Sequence, residues 1–437
     1  MQAVDIIRRK RDGKELSRDD MASFVSGIAD WSVTDSQIAA FSVASYLNGL
    51  SLREASSLTA EILAKGLQID WSGMALKAPI ADIYTNGGVG DYLQLLVPAV
   101  LSACGVYCPS ATGHAKEYIC GTLDKISAIE GYNPYPKMTH FKNTVYDNGF
   151  AIIGTTGEFS PVYRRIRTVC SSSGTAMAED LLAVCAISQK KSAGTEYIVL
   201  DIKCGSGTFT KNPSSAQKLT GTLKHLAEIN GIKVSGFISN HNQPTGKSIG
   251  SSLEMLEAVK FLLSPSQTLY PRVYELLLAI CANALVLSGV SSHTSSAEEK
   301  VAKALNSGRA ASRFSEMITA LGAPPDFMQK PESYLPKAGF IKPLFAPKSG
   351  YIKAINGKLL GRLWHKLADD PYNLSLKPAV GFSDIADIGT HVTKDSLLAL
   401  VHADTSARAE EILKELPKAF TISAKRPPFE PLIYETI

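Results

Sequence analysis

The segment best suited to bind an anion is a glycine-rich run at residues 85–91. Its candidate anion ligands are Thr85, Asn86, Gly87, Gly88 and Gly90. Glycines allow a close approach that a Cβ would block, so successive amide N–H groups can converge on one negative charge. Thr85 and Asn86 can donate further hydrogen bonds. The run predicts a phosphate-binding loop, although a tight turn can have the same composition.

Two further polar segments follow along the chain. Residues 113–125 contain His114, Tyr118 and Thr122, and the Thr122 hydroxyl is a further candidate anion ligand. Residues 201–209 form another cluster of charged, glycine and hydroxyl residues. Imidazole and phenol groups can donate a proton to a leaving group, although a lone histidine is more often structural. In open α/β sheets, ligands bind beyond the carboxyl ends of the strands. We therefore expect all three segments to meet at that edge.

The first 66 residues are predicted to form a helical module. Ser17 precedes one helical run, and the pairs Thr34/Gln37 and Ser51/Glu54 have the spacing of capping boxes. Apolar residues recur at helical spacing in the second of these runs: Ile38, Phe41, Val43, Tyr46 and Leu47. This stripe must pack against another domain or a second subunit.

From about residue 78 the pattern changes to alternating strands and helices. Predicted strands at 77–85, 149–156, 195–207 and 233–240 are separated by predicted helices. Such alternation indicates a mostly parallel sheet covered by helices. Residues 324–350, rich in proline, glycine and lysine, read as a hinge before a third region.

The predicted fold class is α/β: a helical domain, a mostly parallel-sheet α/β domain and a smaller C-terminal α+β domain. The predicted helical domain is 1–66, joined by 160–192. The α/β domain, which binds the anion, is 67–159 with 193–330, and the C-terminal domain is 331–437.

Composition narrows the function classes. The 437 residues carry 45 basic and 41 acidic side chains, a net charge of +4 that makes no case for nucleic acid. Seven scattered cysteines without a CxxC pair predict neither a disulfide framework nor a zinc site. Neither a signal peptide nor an apolar run of membrane-spanning length is recognised. These observations predict a cytoplasmic protein with no membrane partner.

The order of several motifs resembles the thymidine and pyrimidine nucleoside phosphorylases, relatives of anthranilate phosphoribosyltransferase. The motifs are DIIRRKRDGKELS, NGGVGD, GTLDKISAIEGY, NGFAIIGTT, LDIKCGSGTF and VGFSDIADIG. The resemblance implies a cleft between the helical and α/β domains, and a homodimer formed through the helical modules. It also implies displacement at the anomeric carbon, with phosphate as co-substrate and no required cofactor. In some relatives a structural monovalent cation lies by the position of Glu254.

The chain departs from that family at its usual catalytic positions. Ile83 and Tyr84 stand where the family has a phosphate-binding lysine and a histidine facing the base, and Tyr118 replaces a further histidine. The family's base-reading arginine, serine and lysine fall on Cys170, Cys185 and Gln189. A one-residue slip would recover Lys190, whereas Arg167 lies three residues from the arginine position.

These departures leave more than one hypothesis for function. The favoured one is a divergent nucleoside phosphorylase-like enzyme of altered specificity, acting on a small-molecule nucleoside or phosphosugar. Tyr84, His114 and Tyr118 are its candidate hydrogen-bond donors to the leaving base. Glu179 would add a carboxylate near the cleft, although a solvated first helical turn explains it equally well. The alternatives are a non-catalytic ligand-binding relative, a glycosyl hydrolase or a phosphoribosyltransferase on the same fold.

Overall fold

The computed structural model describes residues 2–115, 117–155, 159–176, 178–369 and 376–437. Its helices are α1 Ala3–Arg11, α2 Arg18–Ala29, α3 Asp35–Asn48, α4 Leu52–Ala64, α5 Leu93–Ala103, α6 Thr122–Ile126, α7 Met138–Asn148, α8 Pro161–Ser172, α9 Glu179–Ser192, α10 Pro213–Ile229, α11 Ser251–Leu263, α12 Pro271–Leu287, α13 Thr294–Asn306, α14 Arg309–Ala320, α15 Pro331–Tyr334, α16 Gly357–Ala368 and α17 Ser406–Glu415. Its strands are β1 Ala81–Thr85, β2 Cys108–Thr112, β3 Phe150–Gly154, β4 Tyr197–Cys204, β5 Lys233–Asn240, β6 Phe340–Phe345, β7 Gly350–Ile355, β8 Gly381–Ser383, β9 His391–Val392, β10 Leu397–Ala403, β11 Phe420–Ser423 and β12 Ile433–Thr436.

The helical unit is assembled from two separate parts of the chain. Helices α1–α4 pack against α8 and α9, and one apolar core runs through both groups. Each of α2, α3 and α4 begins with a capping box, which confirms the two predicted from spacing and adds one at Ser17. A buried ion pair between Lys10 and Glu54, 2.8 Å apart, fixes α1 against α4.

The predicted apolar stripe of α3 divides between two faces. Ile38 and Phe41 are buried in the helical core. Val43, Tyr46 and Leu47 are instead 41%, 53% and 73% exposed. Two residues of the stripe therefore stabilise this domain, and the other three are left as an apolar surface.

A mostly parallel sheet forms the centre of the α/β domain. Strands β1, β4 and β5 run parallel, and β12 pairs antiparallel with the outer edge of β5. Strands β2 and β3 form a parallel pair, linked to the β1 edge by a bridge between Ile80 and Tyr107. The register places Thr85 at the end of β1 beside Asp201 on β4. The loops that follow β1, β2 and β4 consequently open at the same edge.

The C-terminal domain consists of two small antiparallel sheets with helices α16 and α17. The sheets have strand orders β6-β10-β8 and β11-β7-β9, and Trp364 is fully buried between them and the helices. Strand β6 lies inside the segment that the sequence suggested was a hinge, so that part of the prediction was wrong. Its Pro343 is tolerated because β6 is an edge strand. The predicted fold class is confirmed.

Candidate active site

The glycine loop connects β1 to α5 and is pressed against neighbouring loops. Gly87 and Gly90 have φ angles of +94° and +67°, which favour glycine. A Cβ on Gly88 would lie 2.2 Å from the imidazole Nε2 of His241. The Val89 amide donates to the Gly207 carbonyl at 2.9 Å. The glycines therefore have a packing role whether or not a ligand is bound.

A cleft of about 1360 Å³ opens in front of this loop. Of the predicted anion ligands, the cleft wall includes Thr85, Gly87, Gly88 and Thr122. Thr112 and Gln94, which were not among the predicted ligands, lie in the same wall, and Thr122 donates to Gln94 Oε1 at 3.2 Å. The opposite wall is built from α8 and α9. The cleft therefore separates the α/β domain from the helical domain.

Asn86 and Gly90 lie behind the loop rather than in the cleft wall. The Asn86 amide donates to the Lys203 carbonyl at 3.0 Å and to Thr210 Oγ1 at 2.9 Å. Its Oδ1 accepts from the Lys203 amide at 2.8 Å. Gly90 packs against Pro244, which lies 2.7 Å from the position of an added Cβ. Asn86 thus ties the loop to β4.

Buried charges support the loop from below. Lys203 Nζ lies 2.5 Å from Asp201 and 3.5 Å from Asp91 at the end of the loop. Burial, reinforced by the Lys203 charge, lowers the pKa of His241 to about 3. His241 is therefore neutral at physiological pH, and its Nε2 lies 3.1 Å from the Val89 carbonyl, as expected of a donor. Both contacts restrain the loop, and Asp91 itself lines the cleft.

Glu254, the predicted cation ligand, is fully buried and already has a cationic partner. One carboxylate oxygen lies 2.8 Å from Lys125 Nζ, and the other accepts from the Gly250 amide at 3.0 Å. Burial raises the pKa of Glu254 to about 7 even beside this ammonium. Since Lys125 already balances the carboxylate, the arrangement does not require a monovalent cation, and that expectation stays a prediction. Among the described residues, no group of three His, Cys, Asp or Glu side chains is arranged to hold a metal ion.

Hydrogen-bond donors without partners line the inner part of the cleft. Tyr84 and Gln189 are each 7% exposed, and neither the Tyr84 hydroxyl nor Gln189 Nε2 has a hydrogen-bond partner in the described structure. Burial raises the pKa of Tyr84 above its ordinary value, so the phenol keeps its proton. Cys185 is buried in the opposite wall, on α9 with Gln189, whereas Tyr84 lies on β1. Leaving a buried donor without a partner costs about 1–3 kcal/mol of stability. Donors of this kind are expected where a ligand supplies the missing acceptor.

Arg167 adds a guanidinium to the wall formed by α8 and α9, although the sequence did not place it among the predicted site residues. Its Nη1 lies 3.5 Å from the Ala176 carbonyl, and no carboxylate of the described chain lies within ion-pairing distance. Arg164, Arg167, Thr168 and Ser171, all in the wall, have the i, i+3, i+4, i+7 spacing of one helical face. That polar stripe on α8 was the available signal. Cys170 instead faces the helical core, where Ser42 Oγ lies 3.4 Å from its sulfur.

Lys190 is held by an ion pair inside the protein. Its ammonium pairs with the Asp82 carboxylate on β1, and both side chains are almost completely buried. Asp82 also accepts from Ser110 Oγ at 3.2 Å. Gln189 faces the cleft with an unpaired amide, whereas the ammonium of Lys190 is committed to Asp82. The geometry therefore does not favour the one-residue shift of the family alignment that would place Lys190 at the position of the base-binding lysine.

His114 lies at the outer end of the cleft in a short hydrogen-bonded chain. Its Nδ1 is 2.6 Å from Asp124, and its Nε2 is 2.8 Å from the Tyr135 hydroxyl. Asp124 also accepts from the amides of Ala115 and Gly121 at 2.6 and 3.1 Å. The His114 side chain remains 59% exposed. The imidazole is therefore oriented by protein groups and still accessible to a ligand.

The protonation of His114 can be tested directly. The hydrogen bond to Asp124 raises the pKa of His114 above its ordinary value of 6.5. Because the folded state holds the protonated imidazole more tightly than the unfolded state does, His114 contributes stability that is fully present below pH 6.5. This stability is lost as pH rises through the folded-state pKa of His114. In an NMR titration we expect His114 to titrate above this ordinary value, and Asp124→Asn to return it toward that value. The His114→Asn spectrum assigns the resonance, and a wild-type pKa at or below the ordinary value would contradict the pairing.

Tyr118 and Glu179 lie in a second cavity of about 720 Å³. The Tyr118 hydroxyl donates to the Thr208 carbonyl at 3.3 Å, and its ring packs against Phe209 at 4.7 Å. Glu179 lies 4.0 Å from Lys218, and burial raises the pKa of the carboxyl group. Neither side chain lines the main cleft. The structure therefore does not bring them together with the glycine loop.

Comparisons with known proteins agree with this architecture. Residues 4–66 match a family described as "Glycosyl transferase family, helical bundle domain", and residues 77–311 match "Glycosyl transferase family, a/b domain". Anthranilate phosphoribosyltransferase from Thermus thermophilus is similar in fold, with a TM-score of 0.57. The similarity covers 72% of this chain and 99% of that one, at 14% identity, and therefore shows the fold alone. The fold and cleft define a protein of the glycosyl transferase class.

Two curated relatives are much closer in sequence. The thymidine phosphorylases of Burkholderia cenocepacia and Burkholderia orbicola are each 34% identical over 424 residues, covering 96% of this chain and 95% of theirs. The chain belongs to the pyrimidine nucleoside phosphorylase family. Among the described residues, no helix is long and apolar enough to cross a membrane.

Proposed function

We propose that the chain is a nucleoside phosphorylase-like pentosyltransferase whose specificity differs from that of thymidine phosphorylases. The observation that carries the proposal is that one cleft contains both the glycine-rich loop and two buried donors without partners, Tyr84 and Gln189. An anion and a heterocycle on opposite walls would enclose the anomeric carbon between them. Inorganic phosphate is the proposed co-substrate, and no cofactor is required.

The leaving group is proposed to bind at the inner donors. Displacement at the anomeric carbon leaves negative charge on the departing base, and preorganised donors stabilise that charge most as it develops. Arg167 supplies a permanent positive charge, while Tyr84 and Gln189 supply neutral donors. Gln189 also carries a carbonyl oxygen, so it can accept from an amino group that a lysine would repel. This favours a base with a mixed donor and acceptor edge.

The nucleophile is proposed to bind at the glycine loop. Thr85 accepts from the Gly87 amide at 3.2 Å, which leaves the hydroxyl proton free for a ligand. Thr112 and Thr122 provide two further hydroxyls in the same wall. Ile83 stands where the family has a phosphate-binding lysine, so phosphate binding would rely on neutral donors. We therefore expect weaker phosphate binding than a lysine-containing loop provides.

We further propose a homodimer formed through α3. Its outward face exposes Val43, Tyr46 and Leu47, which lie within one helical turn of each other. Adjacent exposed apolar side chains of this size are typical of interfaces between copies of a chain. Sedimentation velocity would show a dimer, and Leu47→Lys would shift it toward the monomer.

Product analysis tests the proposed reaction. The protein would be incubated with pooled pyrimidine and purine nucleosides and their 5′-monophosphates, with and without inorganic phosphate, and the products identified by mass spectrometry. The expected products are a free base and a sugar 1-phosphate, formed only with phosphate. A Gly88→Val variant, in which the side chain would meet His241, controls for contaminating host phosphorylases.

Each other outcome would replace this proposal with a different function. Base release without phosphate would indicate a glycosyl hydrolase. Consumption of phosphoribosyl pyrophosphate with a base would indicate a phosphoribosyltransferase. Ligand binding without any turnover across the panel would indicate a non-catalytic relative. Equal turnover by wild type and Gly88→Val would assign the activity to a contaminant.

A further inference from the structure

The outer end of the cleft contains a basic cluster that the proposed reaction does not use. Arg164 extends from α8 on the helical side, and His114 and Tyr135 lie on the α/β side. His114 and Tyr135 are 2.8 Å apart, and Tyr135 is 43% exposed. All three side chains line the same cleft as the glycine loop. They form a cluster that spans both walls.

Arg164 has no anionic partner in the described part of the chain. No Asp or Glu carboxylate there lies within 4.0 Å of its guanidinium, although its neighbour Arg165 binds Asp35 at 2.8 Å. The hydrogen bond to Asp124 raises the pKa of His114, whereas the charge of Arg164 opposes that rise. Arg164 acts on Tyr135 in the same direction, although burial raises the pKa of that phenol overall. Both effects require the guanidinium to lie within electrostatic range of the pair.

The hydrogen bonding of the cluster leaves donors directed at the cleft. When His114 is protonated, its Nδ1 donates to Asp124 and its Nε2 donates to the Tyr135 oxygen. The hydroxyl proton of Tyr135 is then free for a ligand. Asp124 is balanced by the imidazolium and by two backbone amides. Glu117 and Asp91 are the other carboxylates that line the cleft, and Asp91 lies 3.5 Å from the buried Lys203. Arg167 lies farther along α8. The Arg164 guanidinium and the Tyr135 hydroxyl proton are therefore available to a ligand at the outer end.

We propose that Arg164, His114 and Tyr135 bind the phosphate monoester of a phosphorylated pentose, so that the preferred substrate is a nucleoside 5′-monophosphate rather than a nucleoside. A guanidinium and an imidazolium suit a dianion, and the Tyr135 hydroxyl adds a neutral donor. The cleft, at about 1360 Å³, has room for a nucleotide together with a second anion at the glycine loop. This inference rests on the proposed function, because the pentose must lie between the two ends of the cleft.

Binding measurements can test the site without any turnover. Calorimetric titrations would compare ribose 5-phosphate with ribose at saturating inorganic phosphate. The saturating phosphate occupies any site that prefers the free anion. Each nucleoside would be compared with its 5′-monophosphate in the absence of phosphate, so that no phosphorolysis occurs. We expect at least about tenfold tighter binding of the phosphorylated member of each pair. Arg164→Gln is expected to remove about tenfold of that preference and to leave ribose and nucleoside binding unchanged.

The controls separate this site from the proposed reaction. Arg313→Gln removes an exposed arginine on α14, away from the cleft, and should leave the preference intact. Tyr135→Phe removes only the hydroxyl and should reduce the preference severalfold. Nucleotide preference without phosphorolysis would support this site while the proposed reaction failed. Equal affinity for both members of every pair would overturn the inference. The inference would also be overturned if inorganic phosphate alone bound at two sites and ribose 5-phosphate did not bind at saturating phosphate. That result would assign the cluster to free phosphate.

Discussion

Replacing Arg167 with glutamine is expected to lower kcat/KM about 10- to 100-fold for the nucleoside or nucleotide that the protein turns over. A hydrogen bond to a charged group contributes about 1.5–3 kcal/mol, and each ~1.4 kcal/mol corresponds to tenfold in rate. Arg167 lines the cleft with no carboxylate partner among the described residues, so its charge is available to the ligand. Steady-state kinetics with the substrate identified by product analysis would measure the loss.

The stability of the same variant distinguishes a ligand-binding arginine from a structural one. The hydrogen bond from the Arg167 side chain to the Ala176 carbonyl is a long one, at 3.5 Å, so its loss should change the free energy of unfolding by less than about 1 kcal/mol. Arg167→Lys keeps the charge but loses the planar fork, and should give an intermediate rate. Arg165→Gln is the structural contrast, because Arg165 binds Asp35 and the Ile28 and Val33 carbonyls. A kcat/KM of Arg167→Gln close to that of wild type would remove Arg167 from the site.

Much of the fold follows from local sequence signals. Capping boxes and apolar periodicity are short-range, and they predicted the starts of α3 and α4 and the main parallel strands. The edge elements were harder to predict. Strand β12 forms only by pairing with β5, which lies far earlier in the chain: Ile433 is in register with Ser239. No signal in the sequence near β12 specifies that partner. Strand β6 contains a lysine and a proline, which look like linker residues until an edge position explains them.

The sequence predicted the part of the candidate site that is formed by one contiguous segment. It did not predict the part that depends on how far a side chain extends from its helix. The glycine loop is a contiguous run whose backbone geometry is dictated by its own residues, and it does line the cleft. Matching a family position by position places Cys170 where an arginine is usual, but Cys170 packs into the helical core. Arg167 extends into the cleft from one helical turn earlier. Helical geometry makes i and i+3 neighbours, so a position-by-position comparison misses such a substitution.

Lys190 is expected to be a structural residue, and Lys190→Met is expected to destabilise the protein by about 3–5 kcal/mol. The Lys190–Asp82 pair is almost completely buried between α9 and β1. Removing one member of a buried ion pair leaves an unbalanced charge in a poorly polarisable environment. Asp82 would keep its hydrogen bonds from Ser110 and from the Ile83 amide, which only partly compensate. Urea titration followed by circular dichroism would measure the change.

The double variant Asp82→Asn/Lys190→Met provides the decisive comparison. A neutral amide at position 82 can still accept from Ser110 without carrying a charge, so most of the lost free energy should return. Coupling of this kind between two contacting residues is what a double-mutant cycle detects. Additive losses in the double variant would show that the two side chains do not interact. If Lys190→Met were as stable as wild type but bound the base of the substrate more weakly, Lys190 would instead be a ligand-binding residue. It would also restore the alignment in which Lys190, rather than Gln189, takes the family lysine's place.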